Sequence, residues 1–560
     1  MQIGKNVLSQ SLRTKCDLNL FMSLFTPTEH KKAGRPEPIK ARPSVEALKQ
    51  AGIDQENEIY DLLAKGLGSA CISMPKGLDQ QWPDIPMVDA IGRIDSLPAV
   101  ILQGELDLKN ESSRVYRSLG VDSAHLPMMP ALKGFIPDVV IAERAVGLAR
   151  YEILPTGERA PIQGGDDRVA LTVIDVKHAR ESNRSYNSEV VLYAVMLANW
   201  LEIRALDKKF YVSDKTCLWL RAGVLKARVQ DAVFDPARAA ESIVAAIFEE
   251  CEAVSTPIFL QTVRRFFSED LPRIIPVGLA NWRDLDWAVG AACGSCDWLA
   301  YSDYLNPAQK ATVASCAGQY CSDRVKREDH LSRLPLLTKG ARRTLSEQKL
   351  DSVSAVAGTD GTEDVYSNHS RLLADRSVVP DIAGAIISGN VAHDSRREDG
   401  LLARYADLNV YVTVNFDAGA GLVTGVCASV NFRQHTEFGE TKTDNGKRSV
   451  TNKWMTLSKS DQAESTTILG FLDFLSATFE HARDSDSGKG GVHAKKTTFQ
   501  MVFWTERQFI EICKAVGRHL DEIINDTSPR KGHRLAALAW LFPPEELQAA
   551  IAQLNNHGYS

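Results

Sequence analysis

The stretch LTVIDVKHA, residues 171–179, constrains this chain more than any other. Leu171, Val173, Ile174 and Val176 read as a strand buried on both faces. Asp175 and Lys177 interrupt that run, two residues apart. Desolvating such an ion pair costs several kcal/mol unless something compensates. A divalent metal is the expected compensation, and it requires further carboxylates elsewhere in the chain.

At 560 residues the chain exceeds one hydrophobic core, so roughly two to four domains are expected. Hydrophobic residues at 44% and charged residues at 24% exclude a wholly disordered chain. With a net charge of −6, any positive surface for nucleic acid must be local or supplied by a partner. No apolar run approaches a membrane span, and MQIGKNVLSQSLRTK lacks the apolar core of a secretory signal. No membrane partner and a cytoplasmic location are therefore expected. Ten cysteines in such a setting do not suggest a disulfide framework. Lone cysteines in apolar segments, such as Cys217 and Cys513, read as core filling.

Periodicity predicts helix over residues 1–25, from the N-cap candidate Ser44 to about Gly52, over 53–67 and over 187–205. Between 86 and 178 the texture is strand-like, in DAIGRID, PAVILQGELDL, FIPDVVIAE, GLARYEIL and VALTVIDVKHA. Residues 330–358 read as two or three short helices about a turn at Lys339-Gly340, and part of the Ser-, Asp- and Gly-rich 351–400 as a linker. LNVYVTVNFD and LVTGVCASVNF are strand candidates, and HARDSDSGKGGVHAKK a polar loop.

FIPDVVI places Asp138 at the start of an apolar strand upstream of Asp175. Glu56 shares a helical stripe with Ile53, Tyr60 and Leu63, where a carboxylate does not ordinarily belong. Glu58 instead shares a polar face with Asp54 and Asp61. Glu189 and Tyr193 are four apart on the helix after the strand. This order of helix-Glu, strand-Asp, strand-Asp-x-Lys and helix-Glu-x-x-x-Tyr resembles the PD-(D/E)XK nuclease superfamily. The likeness is to its RecB-like branch, which includes the Fe–S nucleases of CRISPR adaptation. The resemblance implies an α/β, restriction-endonuclease-like core with helical additions. It carries Glu56, Asp138 and Asp175 onto acids that hold Mg²⁺ or Mn²⁺, and Lys177 onto the active-site lysine. Glu189 stands where that branch usually has Gln, and Tyr193 where it has Tyr. Hard carboxylate oxygens suit such ions, and an ammonium offsets charge developing on a phosphoryl group.

SQSLRTKCDLNLFMSLF resembles the N-terminal helix of the Fe–S members, in which one cysteine precedes the nuclease core and three follow. Cys16 fits the first, Cys293 and Cys296 of CGSC the next two, and Cys316 or Cys321 the fourth. Four thiolates suit a 4Fe–4S cluster or Zn²⁺, and a local zinc knuckle of Cys293, Cys296, Cys316 and Cys321 competes. HLSRLPLLTKGARRTLSEQKL resembles a helix-hairpin-helix-like segment that follows such modules, ahead of an α/β RNase H-like domain. An active domain of that kind needs D-x-E on its first strand. Asn415-Phe416-Asp417 stands there instead, so this domain is expected to be non-catalytic. The expected division is 1–330 nuclease with cysteine cluster, 331–370 helix-hairpin-helix-like segment and linker, and 371–560 RNase H-like domain.

The functional expectation is a metal-dependent deoxyribonuclease subunit in repair or defence against foreign DNA. A helicase or other ATPase partner is expected because the chain has no Walker A motif. The alternatives are a stand-alone end- or flap-specific nuclease and a non-catalytic DNA-binding scaffold. Trp504 and His519 invite a base-stacking or ligand role, with a structural role favoured, and RKGHR (530–534) reads as a solvated charge run.

Overall fold

A computed structural model describes residues 1–39, 43–76, 81–144, 151–179, 182–220, 229, 239–290, 292–293, 296–300, 305–316, 318–335, 337–390, 406, 408–417, 422–432, 448–455, 460–487, 498–539 and 541–542. The chain divides into two compact α/β units, Met1–Asp394 and Ser395–Ser560.

The helices that position the first unit's site are α1 (Lys5–Thr14), α2 (Asp17–Met22), α3 (Pro43–Leu67), α4 (Arg184–Ile203), α5 (Ala239–Glu250), α6 (Thr256–Arg265) and α7 (Leu271–Asn281). Its main sheet comprises β1 (Cys71–Ile72), β2 (Ala99–Leu102), β3 (Val139–Arg144), β4 (Val169–Val176), β5 (Phe210–Val212), β6 (Thr216–Trp219) and β7 (Glu252–Val254). The order is β7-β6-β4-β3-β2-β1, with β5 beside the first half of β4. Strand β4 is the hub, antiparallel to β3 and parallel to both β5 and β6. Its alternation divides the core. Leu171 and Val173 join the cluster containing α4, whereas Ile174 and Val176 pack with Ile59 and Leu63 of α3 and Ile243 and Ile247 of α5.

Helix α4 is buried from Ser188 through Leu201, which explains its apolar character all round. Val7 and Leu8 of α1 and Leu260 and Val263 of α6 belong to the same cluster. The extreme N-terminus is tied in by parallel pairing of Gln2–Ile3 with Ala131–Leu132.

Several local expectations are corrected. The two helices read over 44–67 are one, because Gly52 lies inside α3 rather than ending a helix. DAIGRID is not a strand: Met87–Gly92 is helical, and Met87, Ala90 and Ile91 bury a helical face that mimics short alternation. Lys339-Gly340 is no turn but opens a helix, α8 (Lys339–Glu347), capped by Thr338. The boundary at 370 falls inside a helical body. Leu372 and Val379 pack with Leu331, Leu345, Val353 and Tyr366, and the last helix, α9 (Val379–Ser388), continues to 388. Any linker in 391–400 lies outside the described residues.

In the second unit, β8 (Leu408–Asp417), β9 (Leu422–Phe432) and β10 (Arg448–Met455) are antiparallel neighbours. Helix α10 (Asp461–Ser487) leads to β11 (Phe499–Phe503), which lies parallel to β8, and α11 (Glu506–Arg518) follows. Val410, Val412 and Val414 face Ile468, Phe471 and Leu472 of α10 and Ile512 and Val516 of α11. Tyr411 points away and is exposed, the alternation of a sheet covered on one face. The polar loop read from 481 starts later, since α10 runs to Ser487; residues 488–497 lie outside the described set.

Candidate active site

Strands β3 and β4 run antiparallel with Ile174 opposite Val139, so the next step brings Asp175 and Asp138 alongside each other. Both follow the alternation of the α4-facing side, and both are buried. Asp138 Oδ2 accepts a hydrogen bond from the Val176 backbone N–H at 2.8 Å, which fixes its rotamer. Its Oδ1 has no hydrogen-bond partner, nor has Oδ1 of Asp175. Lys177, one residue beyond β4, points to the same side. Its Nζ lies 2.8 Å from Asp175 Oδ2 and donates to Glu189 Oε1 at 3.3 Å. Glu189 and Tyr193 come from α4, both buried, and the Tyr193 hydroxyl also lacks a partner.

Glu56 reaches this cluster from α3, around the end of the sheet. Burial raises its pKa to about 7, with Asp138 and Glu189 adding to the rise and Lys5 and Lys177 opposing it. Burial also pushes Asp175 well above the usual carboxylate range; Lys177 counters this while Asp138 and Glu189 reinforce it. Burial alone would lower Lys177, but Asp175, Glu189 and Asp138 outweigh it and hold the ammonium charged above its ordinary range. Burial keeps Tyr193 a neutral phenol. Four carboxyl groups thus face two ammonium groups, and with all four ionised the excess negative charge suits a divalent cation.

Sequence reasoning missed the second ammonium. Lys5, the first residue of α1, stands 4.0 Å from Asp138 Oδ1, and Asp138 is the main cause of its raised pKa. Its arrival depends on the pairing of Gln2–Ile3 with Ala131–Leu132, a tertiary contact with no local sequence signal. Gln55 was also missed. Its side-chain amide donates to the carbonyls of Lys177 and Leu220, and its Oε1 lies 2.6 Å from His178 Nδ1, so it clamps α3 to the strand end. Gln103 adopts a left-handed φ of 53° after β2, donates to Tyr60 Oη at 2.6 Å, and gives its backbone N–H to the Asp138 carbonyl. Glu58 is exposed on the other side of α3.

The orphaned oxygens of Asp138 and Asp175 fit an oxygen-seeking cation such as Mg²⁺, which takes one or two carboxylates and keeps several waters. Among the described residues no group of three or more His, Cys, Asp or Glu side chains is arranged to hold a metal ion.

The cysteines sort themselves in space. Cys16, Cys293, Cys296 and Cys321 line one small cleft with Leu18, Asn19 and Trp298. Cys16 caps α2, its sulfur accepting from the Asn19 backbone N–H, and the Asn19 side chain donates to Cys296 Sγ at 3.1 Å. Cys293 Sγ donates to the Ala288 carbonyl. Cys316 does not join them. It ends the helix Pro307–Ser315 and packs with Val313 near Tyr320, while the chain turns at Gly318 before Cys321. The set with Cys316 as a ligand, including the local knuckle, is therefore not gathered. Four thiols in one cleft suit a soft-metal centre, either Zn²⁺ or an iron–sulfur cluster.

Compared with known family models, with curated proteins and with solved structures, the chain matches none. No helix among the described residues is long and apolar enough to cross a membrane.

In the second unit His519 is structural: it is buried between Glu464 and Glu522, and Arg518 also pairs with Glu464. Trp504 is 86% exposed, so the expected packing role does not hold for it. RKGHR is not simply solvated, because Arg530 and Arg534 bind Asp473 and Arg534 also binds Asp526. Asn415 is exposed beside a bulge at Asn415/Phe416; the Asp417 side chain lies outside the described set.

Proposed function

We propose that the chain is a divalent-metal-dependent deoxyribonuclease of the PD-(D/E)XK, RecB-like kind, hydrolysing phosphodiester bonds. The observation that carries this reading is Asp138 beside Asp175 on one sheet face, each with an orphaned buried oxygen, with Lys177 2.8 Å from the second. Asp138, Asp175 and Glu56 would hold Mg²⁺ or Mn²⁺. Such an ion, when bound, acidifies water and neutralises charge on the phosphoryl oxygens.

The chain's own groups define the rest. Lys177 keeps its proton while its carboxylate partners are ionised, so it serves as a cation facing the phosphate and not as a general base. Glu189 orients that ammonium, and the neutral Tyr193 hydroxyl is a donor for a carboxylate or phosphate oxygen. Lys5, partly exposed beside Asp138, would offer a second cation to the same phosphate.

The four clustered thiols support a 4Fe–4S cluster or Zn²⁺ bound by Cys16, Cys293, Cys296 and Cys321, which would fasten α2 to the chain after α7. An antiparallel three-strand start, a helix, and a fourth strand parallel to the first support an RNase H-like reading of the second unit. A helicase or translocase partner and a role in repair or foreign-DNA defence remain part of the proposal. The test is cleavage of DNA with Mg²⁺ or Mn²⁺ against a chelator control, paired with Mn²⁺ titration calorimetry. Asp175→Asn and Asp138→Asn should each lower cleavage by roughly a hundredfold or more and abolish tight Mn²⁺ binding. Full cleavage by both variants would defeat the assignment. Mn²⁺-independent DNA binding without cleavage would favour the scaffold.

A further inference from the structure

A cleft of about 450 Å³ opens in the first unit beside α1, α6 and α7 and the start of α4. Lys15, Arg184, Arg265, Arg273 and Lys339 line it, against the acids Asp17 and Asp270. The cations differ in what they do. Arg273 is anchored on Asp17, the first residue of α2, and Lys339 on Asp286 at 2.6 Å with Asp17 at 3.6 Å. Lys15 and Arg184 are exposed and enter no ion pair among the described residues, and Arg265 pairs with the exposed Glu269 of its own turn. The floor is thus fixed while the rim presents unneutralised charge, in a molecule whose net charge is −6. A local positive cleft on an acidic chain does not follow from composition.

Its position ties it to the carboxylates. Helix α1 starts with Lys5 beside Asp138 and is followed directly by Lys15 in the cleft, about 15 Å apart at the helical rise per residue. Helix α4 carries Arg184 in the cleft and Glu189 at the carboxylates, about 7.5 Å apart. At about 3.4 Å per nucleotide along one strand, those distances are roughly two to four nucleotide steps.

We propose that this cleft binds the phosphodiester backbone of a polynucleotide strand on the side of the cleaved bond reached along α1. The guanidinium of Arg184 suits a bidentate phosphate contact and Lys15 a point contact. Neither reads a base, so binding here is tolerant of sequence. The inference rests on the nuclease reading for the kind of polyanion.

The test uses the full chain, a short fluorescent single-stranded DNA oligonucleotide, chelator to prevent cleavage, and anisotropy over a series of salt concentrations. The variant pair Lys15→Glu with Arg184→Glu is compared with Lys208→Glu and Lys209→Glu. The latter are exposed lysines beyond the other end of α4, so both pairs change the net charge equally. The cleft pair should weaken binding about tenfold or more and flatten the log–log salt slope by about 1.4, while the control pair changes neither. Equal losses from both pairs, or no binding by the unaltered chain, would overturn the proposal. If the cleft pair lowers the melting temperature, Lys15→Gln with Arg184→Gln gives the same slope change without charge reversal. Cleavage in Mn²⁺ is scored separately. Cleavage with equal losses from both pairs removes the cleft and leaves the nuclease; cleft-specific binding without cleavage does the opposite.

Discussion

At the scale of single residues, the site is governed by how much negative charge a buried sheet end can hold. Glu56, raised to about 7, keeps a proton that an exposed carboxyl would have lost. Protonation therefore favours the metal-free fold below the ordinary glutamate pKa, and that contribution is lost as pH rises through about 7. A divalent cation competes with the same proton. Mn²⁺ affinity should rise about tenfold between about pH 6 and pH 8, measured by calorimetry at several pH values. Glu56→Gln should flatten that dependence and Glu58→Ala should leave it intact; the reverse would mean that α3 presents a different face. Lys5 and the metal share Asp138. Lys5→Ala should accordingly tighten Mn²⁺ binding about fivefold, by removing a like charge, yet slow cleavage. Unchanged Mn²⁺ affinity would place Lys5 outside the electrostatics of the site.

At the scale of elements, the cysteines and the close approach beneath them position α2. A Cβ on Gly278 of α7 would stand 2.4 Å from the Phe21 ring of α2. Gly278→Ala should therefore cost roughly 1–3 kcal/mol, read as a lower melting temperature. Metal analysis of anaerobically purified protein separates the thiols. Cys16→Ser, Cys293→Ser, Cys296→Ser and Cys321→Ser should each lose bound iron or zinc, whereas Cys316→Ser should keep it. Retention in Cys16→Ser with loss in Cys316→Ser would restore the local knuckle. The pattern of what was legible follows from these elements. Asp138, Asp175 and Lys177 are legible because charges that interrupt or open an apolar strand run are a local signal, and Glu56 because helical phase is another. Choosing Cys321 over Cys316 required the turn at Gly318, and DAIGRID was misread because six helical residues show too little period to distinguish 3.6 from 2. Lys5 was invisible because only a pairing across about 130 residues delivers it.

At the scale of the whole molecule, each unit has its own apolar core, one around β4 and another between β8 and α10. Unfolding should not be two-state. Calorimetry of the full chain should resolve more than one transition, and Mn²⁺ should raise the one belonging to the first unit. A single transition shifted as a whole would show that the two cores melt together. The parallel pairing of Gln2–Ile3 with Ala131–Leu132 carries a temporal consequence. Gln2–Ile3 are made well before Ala131–Leu132, the segment that they pair with. Lys5 waits for Asp138, and Cys16 waits for Cys293, Cys296 and Cys321. At roughly 5–20 residues per second, the wait is about 7–27 seconds for Lys5 and about 15–60 seconds for Cys16. A nascent chain interrupted before Cys321 has Asp138 and Asp175 but not the complete cysteine cleft, so synthesis itself sets the earliest moment at which α2 can be held to the chain after α7.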